Sequence, residues 1–154
     1  MNFMGDMGRV TGYFERLREE GAETGIDFEF DGETGDTLDA HRLAEWALKE
    51  HGVGAQDKLV TAQFKRYMEI GEAPSDKASQ LKCVEMAGLP ADAAAAVLGD
   101  DAAYLPETKA KLSESRQRGV SGVPAWFVDD DQVGSGGMPT SDWERILRGV
   151  VRNA

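Results

Sequence analysis

Apolar residues recur along this chain at two spacings, and each change of spacing marks a change of element. Over residues 6–20, Met7, Val10, Phe14 and Leu17 fall three or four apart, which predicts an amphipathic helix with Asp6 as its cap and Gly21 and Gly25 as stops. Ile26, Phe28 and Phe30 then alternate with Asp27 and Glu29, the period of a short half-buried strand, before Asp31-Gly32 turns the chain. From Asp36 the helical spacing returns: Ala40, Leu43, Ala44 and Ala47 share a face, Trp46 stands beside them, and Lys49, His51 and Gly52 close the end. Residues 55–118 read as four helices. Val60, Phe64 and Tyr67 line the first; Ser75 caps the second, with Ala78, Leu81 and Val84 inward and Gly88 at its end. Pro90 opens an alanine-rich third that stops at Gly99, and Pro106 opens a fourth, carrying Leu105, Thr108 and Leu112, that stops at Gly119.

After Pro124 the period drops back to two. Residues 126–128 and 133–135 flank the polar stretch 129–132, which predicts a β-hairpin and its loop. Ser141-Asp142-Trp143-Glu144 has the form of a capping box, and Trp143, Ile146, Leu147 and Val150 make an apolar stripe suited to packing on that hairpin. There is no internal repeat and no long linker.

Composition narrows the classes. With 154 residues, 41 % of them hydrophobic, and three Trp and six Phe, the chain has the length of one domain and enough apolar bulk for a core. Its 17 basic and 28 acidic residues leave a net charge of −11, which repels phosphate backbones and anionic membrane surfaces over a Debye length of about 8–10 Å. Neither nucleic acid nor a membrane is therefore expected as a partner. No run approaches the ~20 apolar residues of a span, and no basic region followed by an apolar stretch opens the sequence, so a cytoplasmic protein is expected. The single cysteine, Cys83, leaves no internal disulfide and no cysteine-based zinc cage, which fits a reducing compartment.

Candidate chemistry is sparse. Cys83 lies between Leu81 and Val84 on a helix, the setting of a small buried hydrophobe rather than a nucleophile. His41 and His51 have no third metal ligand near them in sequence, and Asp129, Asp130 and Asp131 lack the glycine and terminal glutamate of a calcium loop. Gly134, Gly136 and Gly137 miss the spacing of a phosphate cradle, and Ser121, Ser135 and Ser141 have no local base. No catalytic residue, metal or cofactor is expected from these residues.

The most informative stretch is Gly119-Val120-Ser121-Gly122-Val123-Pro124-Ala125-Trp126-Phe127-Val128, which leaves a helix, turns on glycine and proline, and enters an apolar strand. Proline has no N–H to give a sheet and holds Val123 extended, which leaves the Val123 backbone to pair with something else. This passage resembles the GVxGVPxF segment of thioredoxin-fold proteins of the DsbA family, with Ser135-Gly136 following where the family's next strand carries a similar pair. Asp36-Thr37-Leu38-Asp39-Ala40-His41-Arg42-Leu43 resembles the NTxxAHRL motif of the FrnE-like branch, with Asp36 in place of Asn. Ala62, Phe64, Leu81, Gly88 and Leu89 also stand where FrnE-like sequences carry similar residues.

The resemblance implies an α/β fold, thioredoxin-like of the DsbA type, with an inserted all-helical domain and without the first strand-helix-strand unit. Residues 1–35 would be a helix and short strand of the thioredoxin-like part, 36–118 the helical insertion, and 119–154 the C-terminal hairpin and helix. It implies a protein disulfide oxidoreductase whose Val123-Pro124 bond is cis. Gly122, Val123 and Pro124 would bind an extended peptide or a small thiol or disulfide substrate, and His41 would line the groove. The family's paired redox cysteines are absent from this sequence, so the chain by itself is expected to be inactive. Sheet edges left open by the missing unit favour a truncated product or a homodimer covering the missing strands. Two other functions stay open: a glutathione-dependent isomerase or transferase of the related kappa type, and a non-catalytic helical binding module.

Overall fold

Gly25, at φ +82°, ends the first helix, α1 (Met7–Thr24), in a left-handed conformation that glycine reaches without steric cost. The computed structural model describes residues 7–153, and the side chains of 7–10 and 152–153 lie outside the described set, as does the expected cap Asp6. The helix continues through Gly21, expected as a stop, because Phe28 packs where a Cβ at that position would stand and so favours glycine within the helix.

Residues 26–30 keep their alternation but form no strand, contrary to expectation. A strand exists by pairing, and no neighbouring strand flanks this segment among the described residues. Its backbone is tied to helices instead: the Ile26 N–H donates to the Gly21 carbonyl at 2.9 Å and the Glu29 N–H to the Met68 carbonyl at 2.7 Å. Phe30 stacks on Phe14 at 4.5 Å and on Phe28 at 5.6 Å, so the aromatic residues that suggested a strand hold the segment to α1.

The four helices expected over 55–118 are present. Asp36 Oδ1 accepts the Leu38 N–H at 2.8 Å just ahead of α2 (Leu38–His51), whose N-cap position is Thr37, without a capping side-chain bond of its own. Beyond Gly52 run α3 (Val53–Ile70), α4 (Lys77–Met86), α5 (Ala91–Gly99) and α6 (Leu105–Gln117). Asp76, not Ser75, caps α4, accepting the Ala78 N–H at 3.0 Å. Of the residues expected inward on α4, Val84 is buried, Leu81 is half-buried and Ala78 is exposed; Ser79, Gln80 and Cys83 are buried beside Val84. On α3 the inward residues are Leu59 and Ala62, while Phe64 is 60 % exposed. The core joins Leu43, Trp46 and Ala47 of α2 to Leu59 and Ala62 of α3, Cys83 and Val84 of α4, and Ala94, Val97 and Leu98 of α5.

A charge fixes this helical core. Arg42 of α2 is 2 % exposed, and its guanidinium donates to Asp39 Oδ1 at 2.6 Å, the Val97 carbonyl at 2.7 Å, the Ala103 carbonyl at 2.8 Å and the Asp100 carbonyl. Lys77 reaches the Leu98 carbonyl at 2.8 Å. Two cations thus answer the carbonyls left open at the C-terminus of α5, where the helix dipole is negative.

The chain divides between Lys109 and Ala110 into two compact units. Apart from the end of α6, the second contains β1 (Ala125–Val128), β2 (Asp131–Ser135) and α7 (Thr140–Asn153). The strands pair antiparallel, Ala125 with Ser135 and Val128 with Asp131, and Val133 is the extra residue of a bulge. Asp129 and Asp130, at φ 49° and 71°, make a two-residue turn, tighter than the expected loop because aspartate tolerates the left-handed region. Asp131 and Gln132 therefore join the ladder. Helix α7 starts one residue before the expected capping box, with the Asp142 and Trp143 N–H groups both on the Pro139 carbonyl. Ser141 and Glu144 exchange no bonds among the described residues. Together these are seven helices and one two-stranded sheet among the described residues, and no such helix is long and apolar enough to cross a membrane.

Candidate functional site

The site is built where α6 hands over to β1. The helix ends in a left-handed Gly119 (φ +81°): the Gly119 N–H donates to the Arg116 carbonyl at 3.0 Å and the Val120 N–H to the Ser115 carbonyl at 3.0 Å, which closes the last turn. Ser121, Gly122, Val123 and Pro124 then cross the surface exposed, with Val123 at 89 %. The Val123-Pro124 bond is cis. The Pro124 carbonyl accepts the Gly136 N–H at 2.8 Å, whereas the Val123 N–H and carbonyl make no hydrogen bond among the described residues. Downstream, β1 has β2 on one edge and no strand on the other among the described residues.

The backbone around this opening is braced. The Trp126 indole N–H donates to the Gly136 carbonyl at 2.9 Å, and its ring meets Trp143 of α7 edge-on at 4.9 Å. Arg118 lies over the Phe127 ring at 4.4 Å and pairs with Asp130 at 3.0 Å. At Gly134 a Cβ would meet the Met138 sulfur, so a larger residue there needs the Met138 side chain to move. Sequence reading passed over Arg118 and the Trp126–Gly136 contact; the signal for the first is an arginine directly before the helix-ending glycine with an aromatic strand beyond it.

Gly122, Val123 and Pro124 thus form one continuous ledge. His41 stands on the first turn of α2 in the other unit, exposed and without a side-chain hydrogen bond among the described residues. Cys83 is fully buried, and desolvation pushes its thiol up to about 11, so it remains protonated at neutral pH. The strongest carboxylate shift belongs to Glu72 of the first unit: a hydrogen bond from Arg66, then one from Ser79, lowers it to about 2.

A model of the DSBA-like thioredoxin domain matches residues 2–148. The chain belongs to the DsbA-like family. A solved structure of a probable DsbA oxidoreductase from Streptomyces coelicolor superposes with a TM-score of 0.82 at 26 % identity over 97 % of this chain, so the fold is DsbA-like, as the motifs implied. A 2-hydroxychromene-2-carboxylate isomerase from Sphingobium xenophagum is 37 % identical over 84 residues, 54 % of this chain. This DsbA-like chain spans 43 % of the isomerase's length and 63 % of the oxidoreductase's.

Proposed function

We propose that this chain supplies the substrate-holding side of a DsbA-like oxidoreductase, with Gly122, Val123 and Pro124 as the surface that receives an extended peptide or a small thiol or disulfide. The observation that carries this reading is the unpaired N–H and carbonyl of Val123 at an almost fully exposed position. An extended segment alongside would take both groups as an added strand does, at about 0.5–1.5 kcal/mol per hydrogen bond. Backbone pairing of this kind accepts many sequences, which suits an enzyme that acts on varied proteins. The side chains around the ledge hold it in place: Trp126 and Arg118 fix the hairpin, and Gly119 ends the helix so that the chain can turn outward.

Thiol-disulfide exchange needs a thiolate that attacks a disulfide sulfur and a second thiol that resolves the mixed disulfide. The only cysteine here is Cys83, buried and protonated, so this chain holds substrate and does not itself exchange disulfides. FrnE-like ancestry and a cytoplasmic setting belong to the same proposal.

Titration of the ¹⁵N-labelled chain with reduced, alkylated insulin B chain tests it. Shifts concentrated at Gly122, Val123 and residues 125–128 are expected; shifts confined to other residues, or none at millimolar peptide, would refute the ledge. An insulin-reduction assay addresses the chemistry, since turnover that survives Cys83→Ala would show a redox centre this account denies.

The likeness to an isomerase favours a second reading, a glutathione-dependent isomerase or transferase of kappa type using the same ledge. Glutathione at 100 times its dissociation constant would then add about 2.7 kcal/mol to stability, read as a thermal shift. No shift with millimolar glutathione excludes it.

A further inference from the structure

Helix α3 turns a second apolar face away from the core. Ile26 and Phe28 of the extended segment, with Phe64 and Met68 of α3, line an open groove of ≈ 440 Å³, bordered by Thr61, Lys65 and Glu69. Phe64 is 60 % exposed and Ile26 37 %, although the core passes directly beneath through Leu59 and Ala62. Large apolar side chains clustered in the open mark a contact surface. The two charges at its border are also unused: Lys65 and Glu69 stand one helical turn apart, yet neither makes an ion pair among the described residues.

We infer that this groove is the interface of a two-fold dimer, with α3 packing antiparallel on α3 of a second copy. The charge pattern selects that occupant. A two-fold axis between Phe64 and Met68 sets Lys65 opposite the partner's Glu69 and Glu69 opposite the partner's Lys65, two equivalent pairs from one patch, as an isologous contact requires. The same axis sets Phe64 of each copy against the groove lined by Ile26, Phe28 and Met68 in the other. A lysine and a glutamate on one patch offset each other, so this surface is locally neutral in a chain of net charge −11. Two copies repel at long range and fit at contact, and added salt that screens the repulsion favours the pair.

The test is sedimentation equilibrium on the intact chain from 1 to 500 µM at low and moderate salt. Dimer formation that strengthens with salt is expected, weakened about ten-fold or more by Phe64→Glu. Lys65→Glu and Glu69→Lys each weaken it by placing like charges opposite one another, and the double substitution restores it. Circular dichroism of each variant separates loss of association from loss of fold, since all three positions lie at the surface. A monomer throughout, or a dimer indifferent to Phe64→Glu and to the charge exchanges, overturns the proposal. Neither result bears on peptide binding at Val123, which is read separately.

Discussion

Replacing Arg42 by methionine removes the group that joins α2 to the end of α5 while keeping most of the side chain's bulk. The guanidinium makes four hydrogen bonds, one to Asp39 and three to backbone carbonyls. The Val97 and Ala103 carbonyls have no other partner among the described residues, and Asp39 keeps only Lys77 at 3.8 Å. Leaving a buried acceptor unmade costs about 1–3 kcal/mol, and breaking a buried ion pair by removing one partner costs about 3–5 kcal/mol. These overlap here, because the same charge serves all four acceptors, so the expected loss is about 4 kcal/mol. At roughly 2–4 °C per kcal/mol for a chain of this size, the melting temperature falls by about 8–16 °C. Urea and thermal denaturation followed by far-ultraviolet circular dichroism measure it. Arg42→Lys retains the charge but not the fork, and falls between wild type and the methionine variant. A methionine variant within about 1 kcal/mol of wild type would refute the account of Arg42 as the pin of the helical core.

Two further outcomes follow from the shifted groups. Glu72 is lowered to about 2 in the folded state against an ordinary 4.5, so its contribution is complete above about pH 4.5 and is lost as pH falls toward 2. Reduced for its partial exposure, that contribution is about 1–2 kcal/mol, and the stability difference between wild type and Glu72→Gln shrinks to nothing across that interval in acid titrations of unfolding. Cys83, buried and raised to about 11, stays unlabelled by Ellman's reagent at pH 8 until urea opens the core; prompt labelling of the native chain contradicts its burial.

The helices were legible because their spacing, stops and caps are local. Asp36, Gly25, Gly52 and Gly119 act within a few residues of where the sequence puts them. What was not legible depends on partners distant in the chain. The alternation of Ile26, Phe28 and Phe30 signals a surface with one apolar side, but whether it becomes a strand is decided by a neighbour, and here α1 and α3 take that place. Phe64 fits a helical face by spacing, yet which of two apolar faces on α3 turns inward was settled by Leu59 and Ala62 joining the core that α3 forms with α2 and α4. Arg42 carries little local sign of burial, since the three backbone carbonyls it reaches lie more than fifty residues on. The ledge was readable in outline because Gly122, Val123 and Pro124 are contiguous; the indole of Trp126 reaching Gly136 was not, because it depends on a bulge between the strands.

The three tryptophans are divided between the two units: Trp46, 3 % exposed and edge-on to His51 at 5.0 Å, in the first, and Trp126 and Trp143, in mutual contact, in the second. The protein therefore carries its own optical labels. Emission from a variant retaining only Trp46 follows the melting of the helical core, and the exciton signal of the Trp126–Trp143 couple in near-ultraviolet dichroism follows the hairpin, so the order in which the units come apart can be recorded without attaching a dye.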